Sequence, residues 1–216
     1  MPVIILPTKP PRSIFFVHIP KCGGMSVLSF FRSIGAQIYL EWENNKILPL
    51  MRCPTGHMHY DLLDRVVRLE RFNFSFAIVR NPFDRAVSDY HWANRNANVT
   101  ERASFYDWLK WTRAQYEKDP FFLDNHIRPQ SHFVGPKINR VYKYEDGIHE
   151  ILASVLRRVG FKTDAQTIAH RVPHKNRRQS HTDQPYTDQH FGWDISAARE
   201  FEIFYKNDFE NFYPNL

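Results

Sequence analysis

The stretch FFVHIPKCGGMS, residues 15–26, decides the fold of this chain. Residues 14–18 form an apolar run that is short and rich in β-formers, which is typical of a buried strand. The run stops at Lys21 and two glycines. From Val27 to Ile34, apolar residues recur at the spacing of one helix face. The sequence therefore predicts a strand, a glycine loop and a helix in immediate succession.

The glycine loop has the composition of an anion-binding site. Gly23 and Gly24 allow the backbone to bend tightly and to approach a ligand closely. The first N–H groups of the following helix are free and carry partial positive charge. Lys21 adds a full charge and Ser26 adds a hydroxyl donor. A plain strand-to-helix turn needs only the glycines, so the lysine and the serine favour an anionic ligand.

The order of residues in this loop differs from that of a Walker A loop. A Walker A loop has the pattern G-x-x-x-x-G-K-[ST], with the lysine after the glycines. Here Lys21 precedes the glycines, and neither GKS nor GKT occurs anywhere in the chain. No aspartate at a predicted strand end is placed to hold magnesium. A kinase or an ATPase is therefore disfavoured.

A second strand–turn–helix unit follows further along the chain. Residues 74–79, FSFAIV, predict another buried strand. Asn81 can cap the next helix, and Pro82 fits its first position. RVYKYED, residues 140–146, predicts a third strand, and helical spacing begins again at Ile148. This alternation predicts an α/β fold with a central, mainly parallel sheet flanked by helices, in which ligands bind beyond the carboxyl ends of the strands.

The length of the chain, 216 residues, predicts a single domain over residues 1–216. Residues 1–13 are predicted to be an N-terminal extension. Residues 162–193 are polar and rich in histidine, and a segment of this kind is expected to be a polar loop or a lid. The last helix is predicted to be capped by Asp194 and to continue through Tyr205.

Charge and composition narrow the choice of ligand and of compartment. The net charge of +6 and the pI near 9.3 favour an anionic ligand. Most aromatic residues follow core spacing, which disfavours a nucleic-acid surface, because such a surface needs exposed aromatics on a basic face. The apolar runs are too short to span a membrane, the N-terminus does not resemble a secretory signal, and two cysteines give no disulfide framework. We therefore expect a soluble, cytoplasmic protein.

Two motifs, HIPKCGGMS and IVRNPFDRAVSDY, resemble those of the sulfotransferases that use 3′-phosphoadenosine-5′-phosphosulfate (PAPS). The resemblance is greatest to the carbohydrate O-sulfotransferase branch, the sulfotransferase family 2-like proteins. It implies a P-loop-NTPase-like sulfotransferase fold. In that family the second motif binds the 3′-phosphate through an arginine and a serine, which fall on Arg80 and Ser88. The first motif is the 5′-phosphosulfate loop, which falls on Lys21, Cys22, Gly23, Gly24, Met25 and Ser26.

A third segment, TGHMHY, resembles the part of the family that supplies the catalytic base. The match falls on His57, with His59 as its rival and as a substrate-binding candidate. A histidine suits the role because it titrates near neutral pH. Sulfuryl transfer also needs charge stabilised on the departing phosphate oxygen, and the ammonium of Lys21 suits this task if it reaches the bridging or sulfonate oxygens. Cys53, His57 and His59 could also form a zinc site, but no fourth ligand is evident, and no metal is predicted because protein cations supply the charge.

DNHIRPQSHF, VYKYED and PHKNRRQSH resemble later blocks of the family. Arg128, in the first of these, could contact an acidic acceptor or pair with a carboxylate such as Asp124. Lys175 and Arg177, in the last, could close over the nucleotide or lie in an exposed loop. Cys22 could be a redox-sensitive thiol at a helix N-terminus. We favour the simpler explanation that the family tolerates many residues at that position.

These motifs predict a PAPS-dependent O-sulfotransferase that transfers a sulfuryl group to a hydroxyl by in-line displacement with a histidine base. A glycan is the favoured acceptor, and adenosine 3′,5′-bisphosphate is the released product. A lipid, a small metabolite or a tyrosine stays open as the acceptor, and the oligomeric state is open as well. A binding-only pseudoenzyme is disfavoured because Lys21, His57 and Arg80 are all intact. A non-catalytic basic protein that binds nucleotide or nucleic acid is a more remote alternative.

Overall fold

A computed structural model of the protein describes residues 1–41, 52–96, 103–162, 168, 170–172 and 195–215. In these residues the strands are β1 (Val3–Leu6), β2 (Arg12–Val17), β3 (Gln37–Tyr39), β4 (Phe74–Val79) and β5 (Arg140–Lys143). The helices are α1 (Gly24–Ser33), α2 (Tyr60–Val66), α3 (Pro82–Ala93), α4 (Phe105–Lys118), α5 (Ile148–Arg158), α6 (Ile195–Phe204) and α7 (Lys206–Phe212).

One sheet of five strands organises this part of the chain, in the order β3-β1-β2-β4-β5. Strands β2, β4 and β5 are parallel, so their carboxyl ends meet at one edge. Strand β1 pairs antiparallel with both β2 and β3. The predicted α/β fold is confirmed, and the strands that carry the two motifs are parallel neighbours. Residues 1–13, predicted as an extension, contain β1 and the start of β2.

Burial explains why the parallel strands are short and apolar. Every residue of β4 is buried, and the last four residues of β2 are buried as well. Phe16 and Phe76 lie opposite each other in the β2–β4 register, with ring centroids 4.8 Å apart. Each such side chain contributes about 1.5–3 kcal/mol on burial. The sheet shares this core with the apolar faces of α1 and α5, whereas α3, α4 and α6 form a second apolar cluster.

Helices α3 and α4 each begin at a side-chain cap, and the cap of α3 at Asn81 lies where the sequence predicts it. The Asn81 side chain accepts hydrogen bonds from the backbone N–H groups of Phe83 and Asp84, with Pro82 at the first helical position. Ser104 likewise accepts from the Asp107 backbone at the start of α4. Satisfying these otherwise free N–H groups fixes where each helix begins. Helix α3 therefore starts immediately beyond the end of β4.

Two predicted boundaries differ from the structure. Strand β5 ends at Lys143 because residues 144–146 form a 3-10 turn, and this turn is followed by Gly147 at φ +86°. The predicted last helix is interrupted at Tyr205 and becomes α6 and α7. Asp194, the predicted cap of this helix, lies outside the described residues. None of the described helices is both long and apolar enough to cross a membrane.

Candidate active site

A cleft of about 690 Å³ opens beyond the carboxyl ends of β2 and β4. Both motif loops contribute to its walls, because each of them leaves the sheet at this edge. Of the residues that the sequence assigns to the donor and to the base, the cleft is lined by Lys21, Gly23, Gly24, Met25, Ser26, His57, Arg80 and Ser88. The structure thus brings together residues that are up to 67 positions apart (88 − 21) in the sequence. Lys175 and Arg177 lie outside the described residues.

The loop after β2 has an unusual backbone. Lys21 has a φ of +66° and Gly23 has a φ of +83°. A left-handed conformation costs a non-glycine residue of the order of 1–3 kcal/mol, and such strain clusters at functional sites. At Gly23 a Cβ would come within 2.9 Å of Ile148 Cδ1 and of the Tyr144 ring. Glycine is therefore required at residue 23 by both its backbone conformation and its neighbours.

Gly24 is required for a different reason, which is the position of His18. Its φ is not in the left-handed region, but a Cβ on Gly24 would overlap the His18 imidazole at Nε2 and Cδ2. The His18 ring also stacks on Phe16, with centroids 5.6 Å apart. Burial in the cleft wall lowers the pKa of His18, so its imidazole is neutral near pH 7. The paired glycines thus make room for a histidine as well as for a ligand.

Helix α1 begins in this loop with free donors. Its N-cap is Gly23, and no side chain caps the first turn. The N–H groups at such an end are available to an anion. Lys21 stands beside them, with its ammonium nitrogen 5.5 Å from the centroid of the Trp92 ring. Burial lowers the pKa of Lys21, an effect that the nearby Asp89 carboxylate partly opposes.

Arg80 faces the same cleft from the end of β4. Its guanidinium carbon lies 4.7 Å from the centroid of the Tyr144 ring, and its Nη1 donates weakly to the Lys21 carbonyl oxygen at 3.4 Å. Its Nε is buried and has no hydrogen-bond partner within the described residues. A buried donor of this kind costs about 1–3 kcal/mol when it is unsatisfied, more for a charged group, which favours an anionic ligand at this position.

The side chain of Gln130 connects the two motif loops by hydrogen bonds to Cys22 and to the backbone of Arg80. Its Oε1 accepts from the Arg80 backbone N–H, and its Nε2 donates to the Arg80 carbonyl oxygen, both at 2.8 Å. The same Oε1 accepts from the Cys22 thiol at 3.2 Å. Asp208 in turn accepts from the Gln130 backbone N–H at 2.8 Å. This fully buried amide therefore fixes the spacing between the two loops. Gln130 lies in the DNHIRPQSHF segment, but nothing in that pattern indicates this role.

His57 lies in a 3-10 turn, Thr55–His57, at the base of the cleft. Its ring packs edge-on against those of His18 and His126, with centroids 5.2 Å and 5.1 Å away. Burial, followed by repulsion from these two histidines, lowers the pKa of His57 well below 6.5. The imidazole is therefore neutral near pH 7, which is the form that can accept a proton.

A strained turn holds the backbone of His57 in place. Leu123, Asp124 and Asn125 have φ values of +50°, +52° and +67° in succession. This conformation directs the Asn125 amide to the His57 carbonyl oxygen, to which it donates at 2.8 Å. The Asn125 Oδ1 accepts from Arg128 Nε at 2.9 Å. Strain at three consecutive residues persists only where the surroundings over-determine it.

Residues 6–214 match a family model described as "Sulfotransferase family". The chain belongs to the sulfotransferase family. No curated protein matches it. The match covers both motif loops, the His57 turn and the helices around them, so the architecture is the α/β sulfotransferase fold and the activity of the family is sulfuryl transfer.

Two predicted substrate-binding residues of this sulfotransferase lie away from the cleft. His59 packs edge-on against Phe121, with ring centroids 5.5 Å apart, and is buried. Arg128 is also buried, and its Nη2 donates to the Pro120 carbonyl oxygen at 2.9 Å. Its partners are this carbonyl and the Asn125 side chain rather than Asp124. Both residues stabilise the wall that carries His57, so the structure gives no support to direct contact with the acceptor.

The side chain of Cys22, which the sequence places in the donor loop, also lies away from the cleft. Its side chain is buried, and its thiol donates to Gln130, so it faces the interior and not the nucleotide cleft. Burial raises the pKa of this thiol to about 12. A neutral thiol is a poor nucleophile, so the redox-sensitive interpretation is disfavoured. Among the described residues, Cys53, His57 and His59 belong to no cluster of three potential metal ligands.

Three residues that the sequence did not single out also belong to this region. His126 and Trp92 line the cleft, and Asp89 is buried behind His126. His126 was overlooked among eleven histidines, although it lies in the DNHIRPQSHF block. Asp89 directly follows Ser88 in the second motif. Asp89 and His126 come together only in the folded chain, so the sequence contains no local pattern that indicates their pairing.

Proposed function

We propose that this sulfotransferase transfers a sulfuryl group from PAPS to a hydroxyl of a glycan. The observation that carries the proposal is the convergence of Lys21 and the buried, unsatisfied Nε of Arg80 on one cleft. Two separate cationic groups at the ends of neighbouring strands suit a ligand with anionic groups at both ends. PAPS carries a phosphosulfate on the 5′ position of its ribose and a phosphate on the 3′ position.

The two motifs divide the donor between them. The 5′-phosphosulfate would accept hydrogen bonds from the start of α1 and from Ser26, next to Lys21. Arg80 and Ser88 would bind the 3′-phosphate, for which the arginine fork is better suited than a lysine. Lys175 and Arg177 remain proposed as residues that close over the nucleotide. These cations and the helix N-terminus supply the charge stabilisation, so we propose that the reaction requires no metal.

The proposed reaction is an in-line displacement at sulfur. The acceptor oxygen forms a bond to sulfur while the bond from sulfur to the phosphate oxygen breaks, and its electron pair leaves with adenosine 3′,5′-bisphosphate. Lys21 stabilises the negative charge on the departing oxygen. The neutral imidazole of His57 accepts the proton of the acceptor hydroxyl. The protein therefore has to align the acceptor hydroxyl, the sulfuryl group and the departing phosphate, and to stabilise the charge that develops.

The glycan acceptor is proposed from the resemblance of the motifs to the carbohydrate branch. A cytoplasmic location is proposed because both cysteines, Cys22 and Cys53, carry free thiols, which suits a reducing compartment. Lipid, metabolite and tyrosine hydroxyls are the competing acceptors.

The test is transfer of radiolabel from ³⁵S-labelled PAPS to a panel of acceptors. The panel contains neutral and uronic-acid oligosaccharides, tyrosine peptides, hydroxylated lipids and small phenols. We expect label in at least one oligosaccharide. Label in the peptides, lipids or phenols alone overturns the glycan assignment, and a preparation that binds adenosine 3′,5′-bisphosphate but labels none of these acceptors overturns the proposed activity.

A further inference from the structure

We propose that His126, held by Asp89, is a catalytic residue of the same cleft and is the final holder of the proton that the acceptor hydroxyl releases. The inference rests on the proposed sulfuryl transfer and deepens it, because it adds a second histidine and a carboxylate to the reaction.

The Asp89–His126 pair has the geometry of an oriented base. His126 Nδ1 and Asp89 Oδ1 are 2.6 Å apart, and both side chains are buried. A carboxylate accepts a hydrogen bond and cannot donate one, so it holds the proton of His126 on Nδ1. The Nε2 atom is then the acceptor. Because His126 lines the cleft and Asp89 lies behind it, the pair joins the cleft to a buried negative charge.

Neighbouring groups fix the His126 ring in this position. It stacks on Trp92 with centroids 4.7 Å apart and an interplanar angle of 27°. The His126 carbonyl oxygen accepts from Arg85 Nη2 at 2.6 Å, and Arg85 Nε also donates to the Pro20 carbonyl oxygen in the glycine loop. Lys21 lies over the same Trp92 ring. The histidine is thus tied to the loop that would hold the sulfuryl group.

His57 and His126 differ in the charged groups beside them. The two rings are in edge contact, with centroids 5.1 Å apart. Burial and the adjacent histidines disfavour an imidazolium at His57. A positive charge on His126 is compensated directly by the Asp89 carboxylate. In the proposed sequence a proton that His57 has accepted passes on to the neighbouring His126, where the imidazolium would face the Asp89 carboxylate.

The proton balance of the proposed sequence is complete. The acceptor O–H bond breaks, and its proton goes to neutral His57 as the oxygen–sulfur bond forms. His57 then passes a proton to Nε2 of His126 and returns to its neutral form. The imidazolium of His126 stays paired with Asp89 until the products leave, when the proton passes to solvent through the cleft.

The decisive variants are His126→Asn and Asp89→Asn. The asparagine amide at residue 126 can still donate to Asp89 but has no second ring nitrogen, and Asp89→Asn keeps the shape while removing the charge. His132→Asn is the matched control, because His132 is exposed and does not line the cleft. Turnover is measured with ³⁵S-labelled PAPS and the best oligosaccharide of the panel, and affinity for adenosine 3′,5′-bisphosphate is measured by calorimetry.

We expect His126→Asn and Asp89→Asn to lower kcat by roughly tenfold to a hundredfold, with nucleotide affinity within about twofold of wild type. His126→Ala should regain activity with added imidazoles, and the regained rate should rise with the basicity of the imidazole. A residue that only supports the fold would not give this dependence on basicity.

Three results overturn the inference. One is wild-type turnover in His126→Asn under conditions in which His57→Ala is inactive. Another is a loss of nucleotide affinity that accounts for the whole loss of rate. The third is a rescue of His126→Ala that does not depend on basicity. If the wild-type protein transfers no sulfuryl group at all, the proposed function fails and the inference fails with it, which is a distinct outcome.

Discussion

Replacement of Gly24 by alanine tests the contact between the glycine loop and His18. The backbone at this position tolerates an L-residue, so the effect of the substitution comes from steric overlap with the His18 imidazole alone. Overpacking of this kind costs roughly 1–3 kcal/mol. For a chain of this length each kcal/mol corresponds to about 2–4 °C in Tm. Gly24→Ala should therefore lower Tm by roughly 2–12 °C.

A double-mutant cycle isolates this contact. The free energy of unfolding is measured by urea titration for Gly24→Ala, His18→Ala and the double variant. Removing the imidazole opens the space that the new methyl group needs, so Gly24→Ala should cost little in the His18→Ala background. Met25→Ala, at the exposed neighbouring position, is the control and should change stability by less than about 0.5 kcal/mol. The explanation is wrong if Gly24→Ala destabilises both backgrounds equally or neither of them.

The other predictions concern His57 and His59, the hydrogen bonds by which Gln130 holds the Arg80 loop, and metal. His57→Ala should lower kcat by roughly a hundredfold or more with little change in nucleotide affinity, whereas His59→Ala, outside the cleft, should be much milder in a steady-state assay. An active His57→Ala enzyme beside an inactive His59→Ala enzyme would reverse these roles. Gln130→Ala should weaken nucleotide binding because it frees the Arg80 loop, and should lower stability by about 1–3 kcal/mol; unchanged affinity in calorimetry would contradict the bracing role. Activity should survive chelator treatment, and loss of activity together with stoichiometric zinc would refute the metal-free mechanism.

Local sequence patterns were sufficient for the parts of the fold that carry the donor motifs. The strand β4 and the cap at Asn81 were predicted at their observed positions, because burial and capping depend on consecutive residues. The antiparallel strands β1 and β3 were missed. Strand β1 is only four residues long, β3 is three, and their pairing with each other joins residues more than thirty positions apart. The break at Tyr205 lies inside one continuous apolar spacing, so the pattern could not reveal it.

The site was predictable to the same extent. Lys21, Arg80 and His57 could be located because each lies in a motif that is contiguous in sequence. The sequence could not show that His59 and Arg128 pack away from the cleft, because their contacts with Phe121 and with the Pro120 carbonyl depend on the folded chain. The Asp89–His126 pair spans 37 positions, and Gln130 reaches Arg80 across 50. Such contacts exist only once the strands have paired.

The central claim is that Arg80 and Lys21 bind the two ends of one nucleotide. Calorimetric titration of the wild type, Arg80→Ala and Arg157→Ala with adenosine 3′,5′-bisphosphate tests it most directly. Arg157 is exposed on α5 and does not line the cleft, so its removal should leave affinity unchanged. Removing Arg80 takes away a charge-assisted hydrogen bond of about 1.5–3 kcal/mol, so Kd should rise roughly 10–150-fold. Equal affinity in all three proteins, or equally tight binding of ATP by the wild type, would contradict the account.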